Sequence, residues 1–271
     1  MASPADLDVL RVRAQNPGPL TLSGTNTWIV GRDPAHVVDP GPALPAHLQA
    51  LDREIGRRGG LGGMVLTHGH ADHSEATDAV LARWGPIPVG SAQRPAGEAA
   101  SASWTHLEDG QRLGPLVALA TPGHAQDHLA FLAGHVCFTG DAVLGEGSVF
   151  IAPDPGAMAA YLAALQRLAQ LALEVLYPGH GPPVREPRAW LQGYIDHRLQ
   201  RERRVLEALA DGCRSVEALL DAAWSEVEAN LRPAAALTLA AHLDKLEQEG
   251  RLPDGVQRPP WPPPGAPDYR R

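Results

Sequence analysis

The segment THGHADH, residues 67–73, concentrates side chains that can ligate a metal ion within a short stretch of chain. These side chains are His68, His70, Asp72 and His73. Side chains two residues apart in an extended segment point the same way, and Gly69 lets the backbone bend closely toward an ion. Neutral imidazoles suit zinc, and a carboxylate adds a hard anionic oxygen. Two neighbouring histidines alone are more often structural than ligating, so the segment needs further partners to predict a metal site.

Such partners follow downstream, each at the end of a short apolar run where a strand would open into a loop. They are His124 in TPGH, Asp141 in TGD and His180 in PGHG. Separated ligand-type residues at successive strand tips are hard to explain as chance. Together with THGHADH they predict a metal-dependent site.

The elements that must position these residues alternate between apolar runs and helical stretches up to about Val184, which predicts a mixed α/β domain. Strands are predicted within 25–30, 64–66 and 175–177, and helices over 45–58, 74–84 and 155–171. After the break Gly181-Pro182-Pro183 the composition turns helical, with helices predicted over 188–210, 215–224 and 233–249. The predicted organisation is a domain over 1–185, a helical module over 186–252 and a Pro-rich, extended or flexible tail over 253–271.

The motif H-x-H-x-D-H followed by spaced His, Asp and His resembles the metallo-β-lactamase superfamily, over residues 1 to about 185. The resemblance implies an α/β (α+β) fold, a four-layer αββα sandwich with metals at one edge of the sheets. Carried over position by position, it implies one metal held by His68, His70 and His124. A second metal would be held by Asp72, His73 and His180, with Asp141 bridging both.

The same resemblance implies a binuclear hydrolase with two Zn²⁺, although His and Asp ligands also accept iron or manganese. Two cations about 3.5 to 4 Å apart can lower the pKa of a shared water from about 15.7 to about 7, which makes a bridging hydroxide the expected nucleophile. Asp72 is predicted to orient that hydroxide and to help protonate the leaving group. Asp72 and Asp141 are therefore the predicted catalytic residues.

Residues near the ligands have competing interpretations. Metal-ligating histidines usually donate their second N–H to a carboxylate or carbonyl, so Asp39 in VVDPG and His128 in TPGHAQDH are candidates for that contact. A turn aspartate and a packed histidine are alternatives of equal weight. Cys137 is predicted to be a core residue rather than a ligand. The histidines expected at the surface or in structural positions are His36, His47, His106, His135, His197 and His242.

Composition narrows the possible partners and compartments. The net charge of −8 excludes a global positive field of the kind that supplies most non-specific nucleic-acid affinity.

Cys137 and Cys213 do not form a disulfide framework, and both are expected to be free, buried thiols. Asp6, Asp8 and Arg11 stand where an apolar signal core would lie, and no apolar run is long enough to cross a bilayer. A cytoplasmic protein without a membrane partner is expected.

Within the superfamily, antibiotic-degrading members lack the bridging aspartate, which is present here as Asp141. Flavodiiron members have a glutamate at the position of His70. This sequence therefore departs from both groups. The stretches TPGHAQDH, TGDAVLGEGSVF, YPGHGPPV, YIDHR and LDKLEQEGRL instead resemble a β-lactamase-like endoribonuclease group with a C-terminal winged-helix-like module. This likeness extends to about residue 252 and implies cleavage of single-stranded RNA as the first choice. Thioester hydrolysis, as in glyoxalase II and acyl-carrier thioesterases, is the alternative because those enzymes share the ligands. A third interpretation makes the module a nucleic-acid-binding or dimerising unit, although helix-turn-helix signals are weak.

The substrate is the most open question at this level. HRLQRERR, residues 197–204, is either a basic strip for a phosphate backbone or a solvated helix face, and the second is slightly favoured. An aromatic content of 5% argues against the stacking platforms that single-strand binding usually uses. Loop residues 145–150 and helix residues near Tyr194 are expected to shape the pocket. A small ester or thioester and single-stranded RNA both remain as substrates, and the oligomeric state is open, with a homodimer among the options.

Overall fold

The structure is a computed structural model that describes residues 7–95 and 103–261. The end of the predicted tail, residues 262–271, lies outside the described residues, as do 1–6 and 96–102.

Two mixed sheets form the centre of the N-terminal part. In spatial order, the first sheet contains β1 (Val9–Arg13), β2 (Asn26–Val30), β3 (Ala35–Val38), β4 (Leu61–Val65), β5 (Pro88–Ser91) and β6 (Ser103–His106). The second contains β11 (Val175–Pro178), β10 (Val136–Gly140), β9 (Leu129–Ala133), β8 (Leu116–Ala120) and β7 (Arg112–Leu113). Strands β3 to β6 run parallel to one another, and β10 runs parallel to β11, so several strand ends meet at one edge.

The helices lie outside the sheets and in the C-terminal part. They are α1 (Pro45–Gly56), α2 (Ala71–Ser74), α3 (Thr77–Trp84), α4 (Ala157–Ala169), α5 (Pro187–Ala210), α6 (Val216–Ala223) and α7 (Arg232–Gln248), with a short 3-10 turn at Ala229–Leu231. None of the helices in the described ranges has the length and apolar character needed to cross a bilayer.

Side chains that alternate between the two faces of fully buried strands explain the layers. In β2, Trp28 packs between the sheets, whereas its neighbour Ile29 packs against α1 and α3. In β10, Phe138 packs between the sheets, and Cys137 packs on the other face, against α4. Because successive strand side chains point to opposite faces, apolar runs of this kind bury both faces of each sheet. The predicted αββα sandwich and the core position of Cys137 are confirmed.

The helix predicted over 74–84 is wrong in one respect, because the structure divides this region into α2 and α3. The amide of Ala76 donates to the carbonyl of Gly41 at 2.9 Å, and the amide of Gly41 donates to the carbonyl of His73 at 3.0 Å. These tertiary hydrogen bonds replace the intrahelical bond that would have continued the helix through Ala76. The break fixes the end of α2, which carries two of the predicted ligands.

Helix α5 belongs to two cores. Its first half contributes Leu191 and Ile195 to the cluster around α4, and its second half contributes Val205 and Leu209 to a separate cluster with α6 and α7. The leucines of the predicted apolar stripe on α7, Leu239, Leu243 and Leu246, are fully buried there. The boundary at residue 186 therefore remains a prediction, since the helix that follows it packs on both sides. Cys213 is free but only partly buried, because it follows the end of α5, so the expectation of burial is wrong for this thiol.

Candidate metal centre

The predicted ligands converge at one edge of the sandwich, each delivered by a segment that follows a strand. His68 and His70 follow β4, Asp72 and His73 lie on α2, His124 follows β8, Asp141 follows β10, and His180 follows β11. The structure thus brings together every residue that the sequence predicted as a ligand.

Three imidazoles form the first cluster, which we call the trihistidine group: His68, His70 and His124. The Nδ1 atom of His70 lies 2.8 Å from Nε2 of His68 and 3.2 Å from Nε2 of His124. Donor atoms at such separations are suitably placed to share one cation.

The second cluster, the aspartate group, contains Asp72, His73 and His180. Oδ2 of Asp72 lies 3.4 Å from Nε2 of His180 and 3.5 Å from Nε2 of His73, and the two Nε2 atoms lie 3.4 Å apart. This cluster also places its ligand atoms within reach of one ion.

Asp141 lies between the two groups. Its Oδ1 atom is 3.4 Å from Nε2 of both His73 and His180, and its Oδ2 atom is 3.6 Å from Nε2 of His124. Oδ1 is buried and has no hydrogen-bond partner among the described residues. One carboxylate oxygen therefore faces each group, which is the geometry of a bridge.

Hydrogen bonds on the outer side of the rings fix which nitrogen faces the centre. Nδ1 of His73 donates to Oδ2 of Asp39 at 2.8 Å, and Nδ1 of His124 donates to the carbonyl of Phe150 at 3.2 Å. Nδ1 of His180 lies 3.4 Å from the carbonyl of Gly24. Since carboxylate and carbonyl oxygens only accept, the Nε2 atoms that face inward carry lone pairs when the rings are neutral. Nitrogen lone pairs that converge with no N–H group directed at them suit a bound cation. These residues therefore fit a pair of metal ions.

Asp39 is a supporting residue rather than a plain turn aspartate. Besides His73, it accepts from the amide of Thr67 at 2.7 Å and from its hydroxyl at 2.8 Å. The same hydroxyl lies 3.0 Å from Nδ1 of His68, so it accepts that N–H while donating to Asp39. Asp39 has a φ of 53°, a left-handed conformation that aspartate tolerates better than most residues. Through these bonds one carboxylate orients an imidazole in each group.

His128 supports the site differently from the prediction. Its Nδ1 lies 2.8 Å from Oγ1 of Thr121, and its Nε2 accepts the amide of Asp141 at 3.1 Å. It therefore holds the backbone of Asp141 in place and orients no ligand ring.

Two supporting residues were missed at the sequence level. The hydroxyl of Thr25 donates to Oδ2 of Asp72 at 2.9 Å. The side-chain amide of Asn26 donates to the carbonyls of Pro178 and Gly181 at 3.0 and 2.9 Å, which ties β2 to the loop that carries His180. Polar residues at the start of an apolar strand are the only signal that could have found them.

The two groups differ electrostatically. Burial, with the neighbouring His73 and His70, lowers the pKa of His68 well below its usual range, and burial with His70 lowers that of His124 to about 4. In the aspartate group burial acts in the same direction, but the carboxylates outweigh it. Asp72 and Asp141 raise the pKa of His73 well above its usual range, and Asp141 raises that of His180 to about 9.

A cavity of about 620 Å³ opens beside the trihistidine group and the aspartate group. Its lining includes loop residues 146–150, as expected for the loop over 145–150, and His197, Arg198 and Arg201 of α5. These α5 residues follow Tyr194, whose own hydroxyl instead accepts the amide of Leu144 at 3.1 Å. Residues of α5 near Tyr194 therefore line the cavity, as the sequence predicted.

One interpretation of HRLQRERR needs correction. Gln200 and Arg203 are exposed, so the segment does present a solvated face on one side. On the other side, Arg198 and Arg201 are 2% and 5% exposed, so the segment presents no continuous basic strip. They are buried because this side of α5 faces the loop over 145–150 and the elements of the C-terminal module. His197 is half-buried and lines the cavity, so its expected surface or structural role is also incomplete.

The remaining histidines lie outside both the trihistidine group and the aspartate group. His47 is buried and bonds Thr27 and the carbonyl of Pro40, and His242 is buried in the C-terminal core region. His36 and His135 are partly buried, and His106 is exposed. These positions agree with structural or surface roles.

Comparison with known proteins extends the geometric picture. The family described as the metallo-beta-lactamase superfamily matches residues 20–180, and the beta-lactamase associated winged helix domain matches residues 215–254. The beta-lactamase-like protein 2 homolog of Caenorhabditis elegans is 31% identical over 216 residues, covering 75% of this chain and 71% of the relative. The Drosophila melanogaster homolog of the same name is 28% identical over 275 residues, covering 90% of this chain and 89% of the relative.

Solved structures show the same fold. A metallo-beta-lactamase family protein from Thermus thermophilus matches with a TM-score of 0.70 and 24% identity, covering 89% of this chain and 94% of that one. A beta-lactamase domain protein from Burkholderia ambifaria matches with a TM-score of 0.74 and 21% identity, covering 92% of this chain and 89% of that one. A protein solved in a di-iron-bound form matches with a TM-score of 0.52 and 29% identity, covering 65% of this chain and 94% of that one.

Proposed function

Because this chain belongs to the metallo-beta-lactamase superfamily and carries the associated winged-helix domain, we propose that it is a binuclear metal-dependent hydrolase that cleaves an ester-type bond of a small acyl substrate. The observation that carries the proposal is the convergence of imidazole lone pairs and carboxylates beside a cavity. A thioester or related ester is the proposed substrate class.

The residues divide the binding of two ions between them. The trihistidine group would hold one, the aspartate group would hold the other, and Asp141 has one oxygen directed at each. When bound, such a metal pair activates water and stabilises negative charge on the attacked oxygen. Zinc suits this donor set, and iron or manganese would also be accepted. All the donors come from one chain, so a second copy is not required to complete the site.

Asp72 is the ligand best placed to act on substrate. Its side chain is 29% exposed and lines the cavity, whereas the side chain of Asp141 is 10% exposed. Burial opposes ionisation of Asp72, but His73 and the hydrogen bond to His180 lower its pKa, so it enters the reaction as a carboxylate. The hydroxyl of Thr25 fixes one oxygen. Asp72 can therefore take a proton from the attacking water and return it to the leaving group.

The cavity favours an acyl substrate over RNA. Its walls include Leu22, Leu144, Phe150 and Trp224, a surface suited to an alkyl or aromatic group. RNA, the first choice from sequence, is the second candidate because winged-helix modules belong to the helix-turn-helix group of nucleic-acid readers. The burial of Arg198 and Arg201 removes the basic strip on which a backbone could have rested.

Two assays on the same metal-loaded protein test the proposal. We expect thiol release from the octanoyl thioester of N-acetylcysteamine, its loss on removal of metal with a chelator, and its return on adding zinc. Cleavage of a labelled single-stranded RNA without thiol release would favour the second candidate. Full activity in protein shown by elemental analysis to be free of transition metal would overturn both.

A further inference from the structure

Arg198 is an arginine buried inside the cavity, and its position is set by the loop over 145–150. Its guanidinium Nη2 donates to the carbonyl of Val149, and the next carbonyl, that of Phe150, accepts from the ligand candidate His124. The two accepting carbonyls belong to adjacent residues, whose Cα atoms are about 3.8 Å apart, and a hydrogen bond of about 3 Å lies at each end. The guanidinium and the metal-ligand candidates therefore border one cavity at a separation on the order of 10 Å.

The guanidinium lacks an anionic partner. Among the described residues it forms no ion pair, and its Nε atom has no hydrogen-bond partner. It lies against the neutral side chain of Tyr161, whose ring centre is 5.5 Å away and whose hydroxyl is within hydrogen-bonding reach. Arg201, on the same face of α5, differs because it bonds the carbonyl of Ala223 and the carboxylate of Glu226. Arg198 is therefore the cavity arginine whose charge is left unbalanced.

A buried, unpaired cation is costly to fold unless a ligand supplies the opposite charge. The planar guanidinium presents its N–H groups in a fork that matches carboxylates and phosphates. Apolar side chains, among them Leu144, Val149 and Trp224, line the same cavity. The cavity thus offers metal donors, an apolar wall and an anion receptor.

We propose that Arg198 binds an anionic group of the substrate, a carboxylate or a phosphate, and that the enzyme selects acyl substrates in which an apolar segment separates this group from the scissile bond. The proposal rests on the proposed function for the identity of the scissile bond. The anion site itself is a property of Arg198 and the cavity.

Binding to the chelator-treated protein tests the anion site without turnover. We expect octanoate, octyl phosphate or both to bind at least about tenfold more tightly than neutral octanamide in calorimetric titrations, because hydrogen bonds to charged groups are the stronger ones. Comparison of the two anions identifies the preferred group. Arg198→Met should abolish the difference, and Arg203→Met, an exposed arginine of the same helix, should preserve it.

Turnover by the metal-loaded protein tests the selection. We expect the suberoyl thioester of N-acetylcysteamine, or the octanoyl thioester of 3-mercaptopropionate if the anion lies on the thiol side, to exceed the octanoyl thioester of N-acetylcysteamine in kcat/KM by about tenfold or more. Arg198→Met should remove this advantage mainly through KM, and Arg198→Lys should retain part of it.

The possible failures are distinguishable. Hydrolysis without preference for any anionic compound, or an anion preference that survives Arg198→Met, overturns the anion site and leaves the proposed function standing. Anion binding that depends on Arg198 without thioester hydrolysis supports the site and contradicts the proposed function. If RNA cleavage alone depends on Arg198, the bound anion is an RNA phosphate and the acyl-substrate proposal is wrong. The wild-type comparison of anionic and neutral compounds remains decisive if Arg198→Met does not fold.

Discussion

The trihistidine group and the aspartate group share Asp141 but differ in how they treat protons. Burial and neighbouring imidazoles lower the pKa of His68 and His124, so these rings are neutral at ordinary pH. Carboxylates raise the pKa of His73 and His180, so these rings hold protons that a metal must displace. Protons therefore compete with the metal ion for the histidine nitrogens of the aspartate group but not for those of His68 and His124. The position of the carboxylates causes this difference between two adjacent sites built from similar side chains.

The largest expected effect follows from removing the shared carboxylate. Asp141→Asn should lower thioester hydrolysis by about a thousandfold, because each group loses the anionic oxygen that Asp141 directs at it and charge stabilisation by metal is worth several kcal/mol. Elemental analysis should show bound metal falling from about two ions per chain to about one or fewer. A variant with both ions and full activity would show that Asp141 is not the bridge.

The next largest effect concerns the carboxylate that faces the cavity. Asp72→Asn should lower kcat by about a hundredfold, as expected for loss of a group that moves a proton. Asp78→Asn, an exposed carboxylate on α3, is the matched control and should leave kcat unchanged. Retention of both metals and full turnover in Asp72→Asn would remove the proton-transfer role.

The pH dependence of metal affinity separates the two groups directly. His180 has a pKa of about 9 and the pKa of His73 lies well above its usual range, so both rings are protonated near pH 7. Each proton that the metal displaces contributes up to about tenfold per pH unit, so the affinity of the aspartate group should rise by up to about a hundredfold per pH unit from about pH 7 to about pH 9. Affinity of the trihistidine group should change little there, because His124 loses its proton near its pKa of about 4. Cobalt titrations followed by absorbance report both sites. Equal pH dependence at the two sites would contradict the comparison.

A smaller effect is expected from Asp39, which supports a ring in each group. Asp39→Asn should weaken metal affinity by about tenfold, the lower end for loss of an orienting partner, since the amide keeps one acceptor oxygen. Both sites should weaken, because Thr67 links Asp39 to His68 while His73 contacts it directly. Competition with a chromophoric chelator measures the change, and an effect confined to one site would break the proposed link.

The ligand residues were predictable because each follows a short apolar run, and the alternation of such runs with helical stretches predicted a mixed α/β domain. The four-layer arrangement came from the resemblance to the superfamily. The direction of Asp39 was not predictable, since it depends on a left-handed φ and on contacts with Thr67 and His73. The burial of Arg198 was hidden as well. Its segment is hydrophilic, and the loop over 145–150 and the C-terminal elements that cover it are distant in sequence.

Crystallographic anomalous scattering from the zinc-loaded protein tests the central claim most directly. The account predicts two zinc peaks about 3.5 to 4 Å apart, one in the trihistidine group and one in the aspartate group, with an oxygen of Asp141 directed at each. A fully loaded, folded protein with no bound transition metal in these groups, or with Asp141 remote from them, would contradict it.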